Sequence, residues 1–359
     1  MIDLKNFGFD DSVQQKYNKF TNPDFSLARV TAVNKNSFMV TNGVKEVYAE
    51  LTGKFLFDMT ATMELPTVGD WVVVQLFDDD SLAIIHHILP RKSLLKRKSP
   101  GKNIDFQLLA ANIDTAFIMQ AVDRDFNLNR LERYLIMVTE EKIEPVVLLS
   151  KTDLLEKNEV DEKVEAIKSL GHQFTILTLS NLSGEGIDKV TAAIHPGKTY
   201  CLLGSSGVGK TTLINTLIGD EILKVRTIRE KDGRGRHATT RRQLIQLAGG
   251  GLLIDTPGMR ELGNFDVDKG LSETFADIYQ LTENCYFSDC THTSEKNCAL
   301  LAAMASGNLD ETRYNNFMKI IKETAYYEMS HREKREKDKK FGKMCKQVMN
   351  DKKKKYRPS

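Results

Sequence analysis

The chain lacks any apolar run approaching the roughly 20 residues of a membrane helix. Its start, MIDLKNFGFDDSVQQK, is too polar for a secretory leader. Together these absences point to a cytoplasmic protein. Cysteine is scarce, with five in 359 residues, which excludes a disulfide framework. Three of the five nevertheless fall within fourteen residues of one another, and such clustering points to metal. No internal repeat is visible, so the chain reads as distinct domains. Net charge is nearly absent at +2, but it is unevenly spread. Residues 331–359 hold thirteen Lys or Arg against four Asp or Glu, a net of +9 that leaves −7 elsewhere. A basic tail on an acidic body suits a polyanionic partner, although a charge run is also what a solvated helix end looks like.

What is present suits a globular protein with real cores: 41% of residues are apolar and 28% charged. At about 150 residues per domain the length predicts two or three domains. Residues 1–24 read as a short polar arm, partly helical. Residues 25–92 read as a small barrel, with strands in ARVTAV, SFMVTN, KEVYAEL, DWVVVQL and LAIIHHIL. The strand pattern does not separate an OB barrel from an SH3-like one. LPRKSLLKRKSPGK reads as a basic linker closing this domain. Residues 93–270 then alternate strands and helices, the rhythm of a mostly parallel α/β sheet. Strands are expected in TAFIMQAV, EPVVLLS, FTILTLS and KTYCLLGSS, and RRQLIQLAGGGLLIDTPG reads as two strands joined by a glycine turn. Residues 271–359 read as helical around the cysteine cluster, with an apolar stripe through Tyr314, Phe317, Ile321 and Ala325.

GSSGVGKT, from Gly204 to Thr211, fits G-x-x-x-x-G-K-[ST]. Backbone N–H groups of Gly204, Ser205, Ser206, Gly207, Val208 and Gly209 would curl around phosphates, and the helix starting near Lys210 would point its positive end at them. Lys210 would reach the β- and γ-phosphates, and Thr211, followed by Thr212, would offer its hydroxyl to Mg²⁺. Downstream, LLIDTPG ends an apolar strand in D-x-x-G. Asp255 there would hold Mg²⁺ through water, and Gly258 would offer its N–H to the γ-phosphate. Between the two motifs, GRGRHATT reads as a switch loop whose Thr239 closes on Mg²⁺.

The N-K-x-D that reads guanine in a GTPase is missing downstream of D-x-x-G. Upstream, a strand ends in Ser150, Lys151, Thr152 and Asp153. A carboxylate at 153 accepts from guanine N1–H and the 2-amino group, a donor pair adenine does not offer, and the stem of Lys151 covers the base plane. Thirty residues on, another strand ends in SNLSGEG, where a backbone N–H at Ser180 or Asn181 would meet guanine O6. The motif order is that of a circularly permuted GTPase, tolerable because domain termini often lie close together.

That order, with RHATT and DTPGMREL, resembles the RsgA (YjeQ/YloQ) family of GTPases that depend on the small ribosomal subunit. The resemblance covers residues 25 to 300. It implies an OB domain, a permuted GTPase and a zinc domain, with GTP hydrolysed to GDP and phosphate during late maturation of the small subunit. It also implies the small subunit and its rRNA as partners, and a monomer is expected. Two positions depart from the family pattern: Ser150 replaces the Asn of N-K-x-D, and SNL replaces S-A-K, so that Leu182 stands for a lysine.

Cys285, Cys290, His292 and Cys298 form Cys-x4-Cys-x-His-x5-Cys, a closed set for one structural Zn²⁺ per chain, and the family carries this spacing too. Cys201 reads as core and Cys345 as a free thiol. Three functions compete: a subunit-stimulated GTPase, an RNA-binding assembly scaffold using GTP mainly as a conformational lock, and an ATP-using P-loop enzyme, which Asp153 disfavours. In Ras-like enzymes a glutamine after the D-x-x-G glycine orients the attacking water. Met259 stands there, so His237 in the switch loop is the expected substitute, ordered by the subunit.

Overall fold

The computed structural model describes residues 3–34, 37–58, 62–98, 106–170, 174–219, 242–255, 271, 274–287 and 289–328. The chain divides into two compact units, residues 1–263 with 267–277, and residues 264–266 with 278–359.

The first unit opens with the barrel. Its strands are β1 (Phe25–Val33), β2 (Phe38–Thr41), β3 (Glu46–Leu51), β4 (Trp71–Phe77) and β5 (Leu82–Ile88). They run in the order β1-β2-β3-β5-β4, and β4 pairs back onto β1 to close the ring. Only β3 and β5 pair in parallel, and a short helix, α1 (Gly53–Asp58), follows β3. This closed five-strand order resolves the open choice of barrel in favour of the OB type. Alternation fills the interior, with Val47 and Ala49 inside and Glu46, Tyr48 and Glu50 outside. Ala28, Val30, Phe38, Val40, Val72, Val74, Ala83 and Ile85 complete that core.

β1 and β4 are buried on both faces, and the reason corrects one expectation. Residues 3–20, read as a polar, partly helical arm, are partly helical but pack their apolar residues on the barrel. A 3₁₀ turn (Asp3–Phe7) and a helix (Asp11–Tyr17, N-capped by Asp10) press Leu4 and Val13 onto Leu27, Trp71, Val73 and Leu89. Phe9 meets Trp71 edge-on at 6.1 Å, and Tyr17 Oη donates to Phe25 O at 2.7 Å. The apolar residues of this segment are scattered among charges, which disguised it as polar.

Within the supposed basic linker, residues 94–98 form a strand. β6 (Leu94–Lys98) pairs antiparallel with β7 (Phe106–Ala111), from Leu94↔Ala111 to Lys98↔Phe106 with a register shift between Leu95 and Lys96. Leu95 is fully buried, and Lys96 pairs with Glu141 at 3.7 Å.

β8 (Thr115–Ala121), β9 (Glu144–Ser150), β10 (Thr175–Leu179), β11 (Thr199–Leu203), β12 (Arg242–Gln246) and β13 (Leu252–Asp255) run in the order β10-β9-β8-β11-β13-β12. All pairs are parallel except β12–β13, the glycine-turn hairpin read in the sequence. Helices α2 (Leu128–Glu140), α3 (Lys157–Lys168), α4 (Ile187–Ala192) and α5 (Lys210–Ile218) accompany the sheet. Because the strands are parallel, the loops after β8, β9, β10 and β11 leave from the same sheet edge, where such sheets bind ligands. β12 also pairs antiparallel with β1, through Ala32↔Gln243 and Val33↔Arg242, so one eleven-stranded sheet runs from the α/β part into the barrel.

The second unit holds the helices Ala299–Ala305 and Glu311–Glu328. On the latter, Phe317 is buried as expected, but so are Asn316, Met318 and Ile320, while Tyr314 and Ile321 are half-buried. The core face is therefore rotated from the expected stripe.

Candidate nucleotide and metal sites

The loop from Gly204 to Gly209 joins β11 to α5. Gly204, at φ 141°, lies so close to β8 that a Cβ there would sit 2.3 Å from Met119 O. Lys210 Nζ donates to Gly204 O at 2.6 Å and to Ser205 O, which holds it over the loop. Val208 is buried, whereas Ser206, Gly207, Thr211 and Thr212 are exposed along the loop and first helical turn.

The two base-loop candidates reach this loop from β9 and β10. Ser150 is fully buried, and its Oγ donates to Val208 O at 2.8 Å. Lys151 adopts a left-handed conformation at φ 60°, and its Nζ bonds Asp123 Oδ2 at 2.8 Å. That ammonium hydrogen bond holds the Asp123 carboxyl below the usual carboxylate range. Thr152 starts a 3₁₀ turn that leaves Asp153 exposed, with Ser180 Oγ donating to its carboxylate. Ser180 Oγ in turn accepts from Leu182 N and Ser183 N, both at 3.1 Å. Asn181 Nδ2 donates to Gly209 O at 3.1 Å.

Sequence reasoning missed the loop after β8. Asp125 accepts from the Ser205 hydroxyl and pairs with Arg130 at 2.8 Å, so with Asp123 it ties this third loop to both the phosphate loop and Lys151. The available signal was AVDRDFN, two acids at the end of a buried strand. Of the remaining expected residues, His237, Thr239 and Gly258 lie outside the described residues, and Asp255 ends β13, the strand next to β11. Cys201 is core, as expected, and burial pushes its thiol well up. Cys345 and the basic tail lie outside the described residues.

In the second unit the ligand atoms of Cys285, Cys290, His292 and Cys298 all lie within 4.8 Å of one another. Cys285 Sγ and Cys298 Sγ each stand 3.6 Å from His292 Nδ1. With Zn–S of about 2.3 Å and Zn–N of about 2.0–2.1 Å, the S–N edge of a tetrahedron is about 3.6 Å, so the set fits zinc. His292 reaches its place through a left-handed backbone at φ 61°, and Tyr314 Oη donates to His292 O at 2.6 Å. Glu295 clasps the turn by accepting from Thr291 N at 3.0 Å, Thr293 N at 2.9 Å and Ser294 N at 3.1 Å. Its hydrogen bond from the Thr291 hydroxyl, with those backbone donors, holds its carboxyl down to about 2. Four protein ligands leave no open position, so zinc here would be structural.

Two candidate base loops that precede the phosphate loop in the chain, yet meet it at one sheet edge, fit a circularly permuted P-loop GTPase. A family model described as RsgA GTPase matches residues 88–265. Small ribosomal subunit biogenesis GTPase RsgA 2 of Vibrio parahaemolyticus is 38% identical over 351 residues, covering 98% of this chain and 94% of the relative. RsgA 1 of Bacteroides thetaiotaomicron is 38% identical over 347 residues, 96% of each chain. Among solved structures, YjeQ from Thermotoga maritima superposes with a TM-score of 0.60 at 25% identity, over 84% of this chain and 99% of its own. YloQ, described as a circularly permuted GTPase, shares the fold with a TM-score of 0.58, over 87% and 100%. The chain belongs to the RsgA family of GTPases.

Proposed function

We propose that this chain, like the relatives named above, hydrolyses GTP in the biogenesis of the small ribosomal subunit, in the cytoplasm and as a monomer. The observation that carries the reading is that Ser150 and Asn181 bond the Gly204–Thr211 loop while Ser180 bonds Asp153, all at one sheet edge. Asp153 reads guanine N1–H and the 2-amine, with the stem of Lys151 over the base and the backbone of Ser180 and Asn181 at O6. The loop N–H groups from Gly204 to Gly209, with the α5 N-terminus, cradle the phosphates. Lys210 moves from its loop carbonyls to the β- and γ-phosphates. The exposed Thr211 would hold Mg²⁺, which would supply charge neutralisation at the phosphates, with Asp255 and Thr239 as further candidates from the sequence. His237 is our candidate for orienting the attacking water, in place of the glutamine that Met259 replaces. The zinc knuckle and the basic tail of residues 331–359 are proposed to face rRNA.

The base assignment has its own test. Asp153→Asn should weaken GTP binding and shift preference toward xanthosine triphosphate, whose 2-position is a carbonyl. Ser150→Asn should bind GTP as well as the parent or better. An unchanged preference in Asp153→Asn, measured by competition between the two triphosphates, would remove Asp153 from the site.

A further inference from the structure

Three hydrogen bonds close a triangle among the loops at the sheet edge. Ser180 Oγ to Asp153 joins the two base loops. Ser150 Oγ to Val208 O, at 2.8 Å, joins the first base loop to the phosphate loop. Asn181 Nδ2 to Gly209 O, at 3.1 Å, joins the second base loop to the next carbonyl of the same phosphate loop.

The third side depends on residue type at both ends. A serine hydroxyl has one proton, and of the two carbonyls in reach of Ser150 Oγ the nearer is Val208 O at 2.8 Å, with Gln120 O at 3.3 Å. An asparagine amide has two. The serine at 150 therefore removes one donor from the junction. Asn181 returns one, from the opposite loop. Its approach is close: a Cβ on Gly209, at φ 101°, would stand 2.5 Å from Asn181 Nδ2. Turning the Asn181 amide over would set Oδ1 against Gly209 O, so the donor faces the loop. Oδ1 itself is buried with no partner among the described residues, which leaves this one bond to hold the amide.

We infer that Asn181 is a positioning residue whose side chain supplies the loop-to-loop tie that Ser150 is too short to make, and so keeps guanine recognition coupled to phosphate binding. Asn181 was expected at the site for its backbone N–H. The side chain is the new assignment, and it rests on the reading of Asp153 as the base reader.

The test is a double-mutant cycle on the full chain, read as GDP and GTP affinity and as nucleotide release rate. Asn181→Ala should weaken both nucleotides roughly 5- to 10-fold, as the loss of one partly buried hydrogen bond implies. Asn181→Asp, isosteric but without the donor, should lose at least as much, because a carboxylate then faces Gly209 O. In a Ser150→Asn background the Asn181→Ala loss should shrink to about twofold or less, a rescue that a merely structural role would not give. Equal losses in the two backgrounds, or no loss in Asn181→Ala, would overturn the inference. Asp153→Asn is measured alongside. If it switches base preference while the 150/181 cycle is additive, Asn181 alone is misassigned. If base preference does not change, the base-reading assignment fails and the Asn181 inference falls with it.

Discussion

Arg29 shows how one side chain holds distant segments together. It is 1% exposed, and its guanidinium donates to Gly69 O at 3.3 Å, to Phe7 O and to Thr199 Oγ1 at 2.8 Å, with Trp71 beneath it at 5.2 Å. Burial lowers it to about 10, so it remains charged at neutral pH. It thus links the N-terminal segment, the barrel and the first residue of β11, the strand that leads into the phosphate loop. Arg29→Met keeps the bulk but leaves three buried acceptors without this donor. It should cost about 2–4 kcal/mol, read as a lower urea midpoint at unchanged slope. Arg29→Lys should not recover the loss, because an ammonium does not reproduce the planar fork. A midpoint unchanged in both would mean the contacts contribute nothing. Nothing in the sequence exposes this residue: ARVTAV reads as an alternating strand, and the partner on β11 lies 170 residues away. The P-loop residues, by contrast, were legible singly, because each glycine and the Lys-Thr pair answers a local geometric demand. Asn181 stands between these cases. The sequence named it for its backbone N–H, but the bond from its side chain to Gly209 O was not legible, because that depends on how closely Gly209 approaches.

Elements were legible where one periodicity ruled. The five barrel strands and the parallel strands β8 to β11 lie where alternation or apolar runs placed them. The N-terminal segment and the β6–β7 hairpin were not legible, since both bury apolar residues embedded in charge and find partners far away. The Cys3His cluster was legible from spacing alone, because four side chains able to hold a metal so close together are rare in a cysteine-poor chain. It also gives a prediction at this scale. The segment is a stretch bearing the four Cys and His side chains that runs into the short helix Ala299–Ala305, so metal should hold it. Purified protein should carry about one zinc per chain. Cys290→Ala should raise protease sensitivity across residues 280–300 before it alters nucleotide affinity. Zinc-free protein with unchanged thermal stability and cleavage pattern would contradict the assignment.

At the scale of the molecule, the order of motifs and the parallel sheet that gathers their loops were readable, and the joining of that sheet to the barrel was not. The permuted order placed the base loops before the phosphate loop. The expected parallel sheet is present and makes this harmless, since all these loops leave the same edge whatever their order in the chain. The pairing of β12 with β1 escaped the sequence, because two residue pairs separated by about 210 positions leave no local trace. Its consequence is that the barrel continues the GTPase sheet, and β12 directly follows the expected switch loop in the chain. The central claim is a GTPase that works on the small subunit, and turnover tests it most directly. GTP hydrolysis should be measured for the protein alone, with purified small subunits, and with purified large subunits. Lys210 and Mg²⁺ would stabilise charge, but Met259 cannot hold the water, so turnover alone should be slow. Small subunits should raise it by orders of magnitude, and large subunits should leave it unchanged. An equal rate in all three conditions would contradict the account and leave a protein that uses GTP only as a lock.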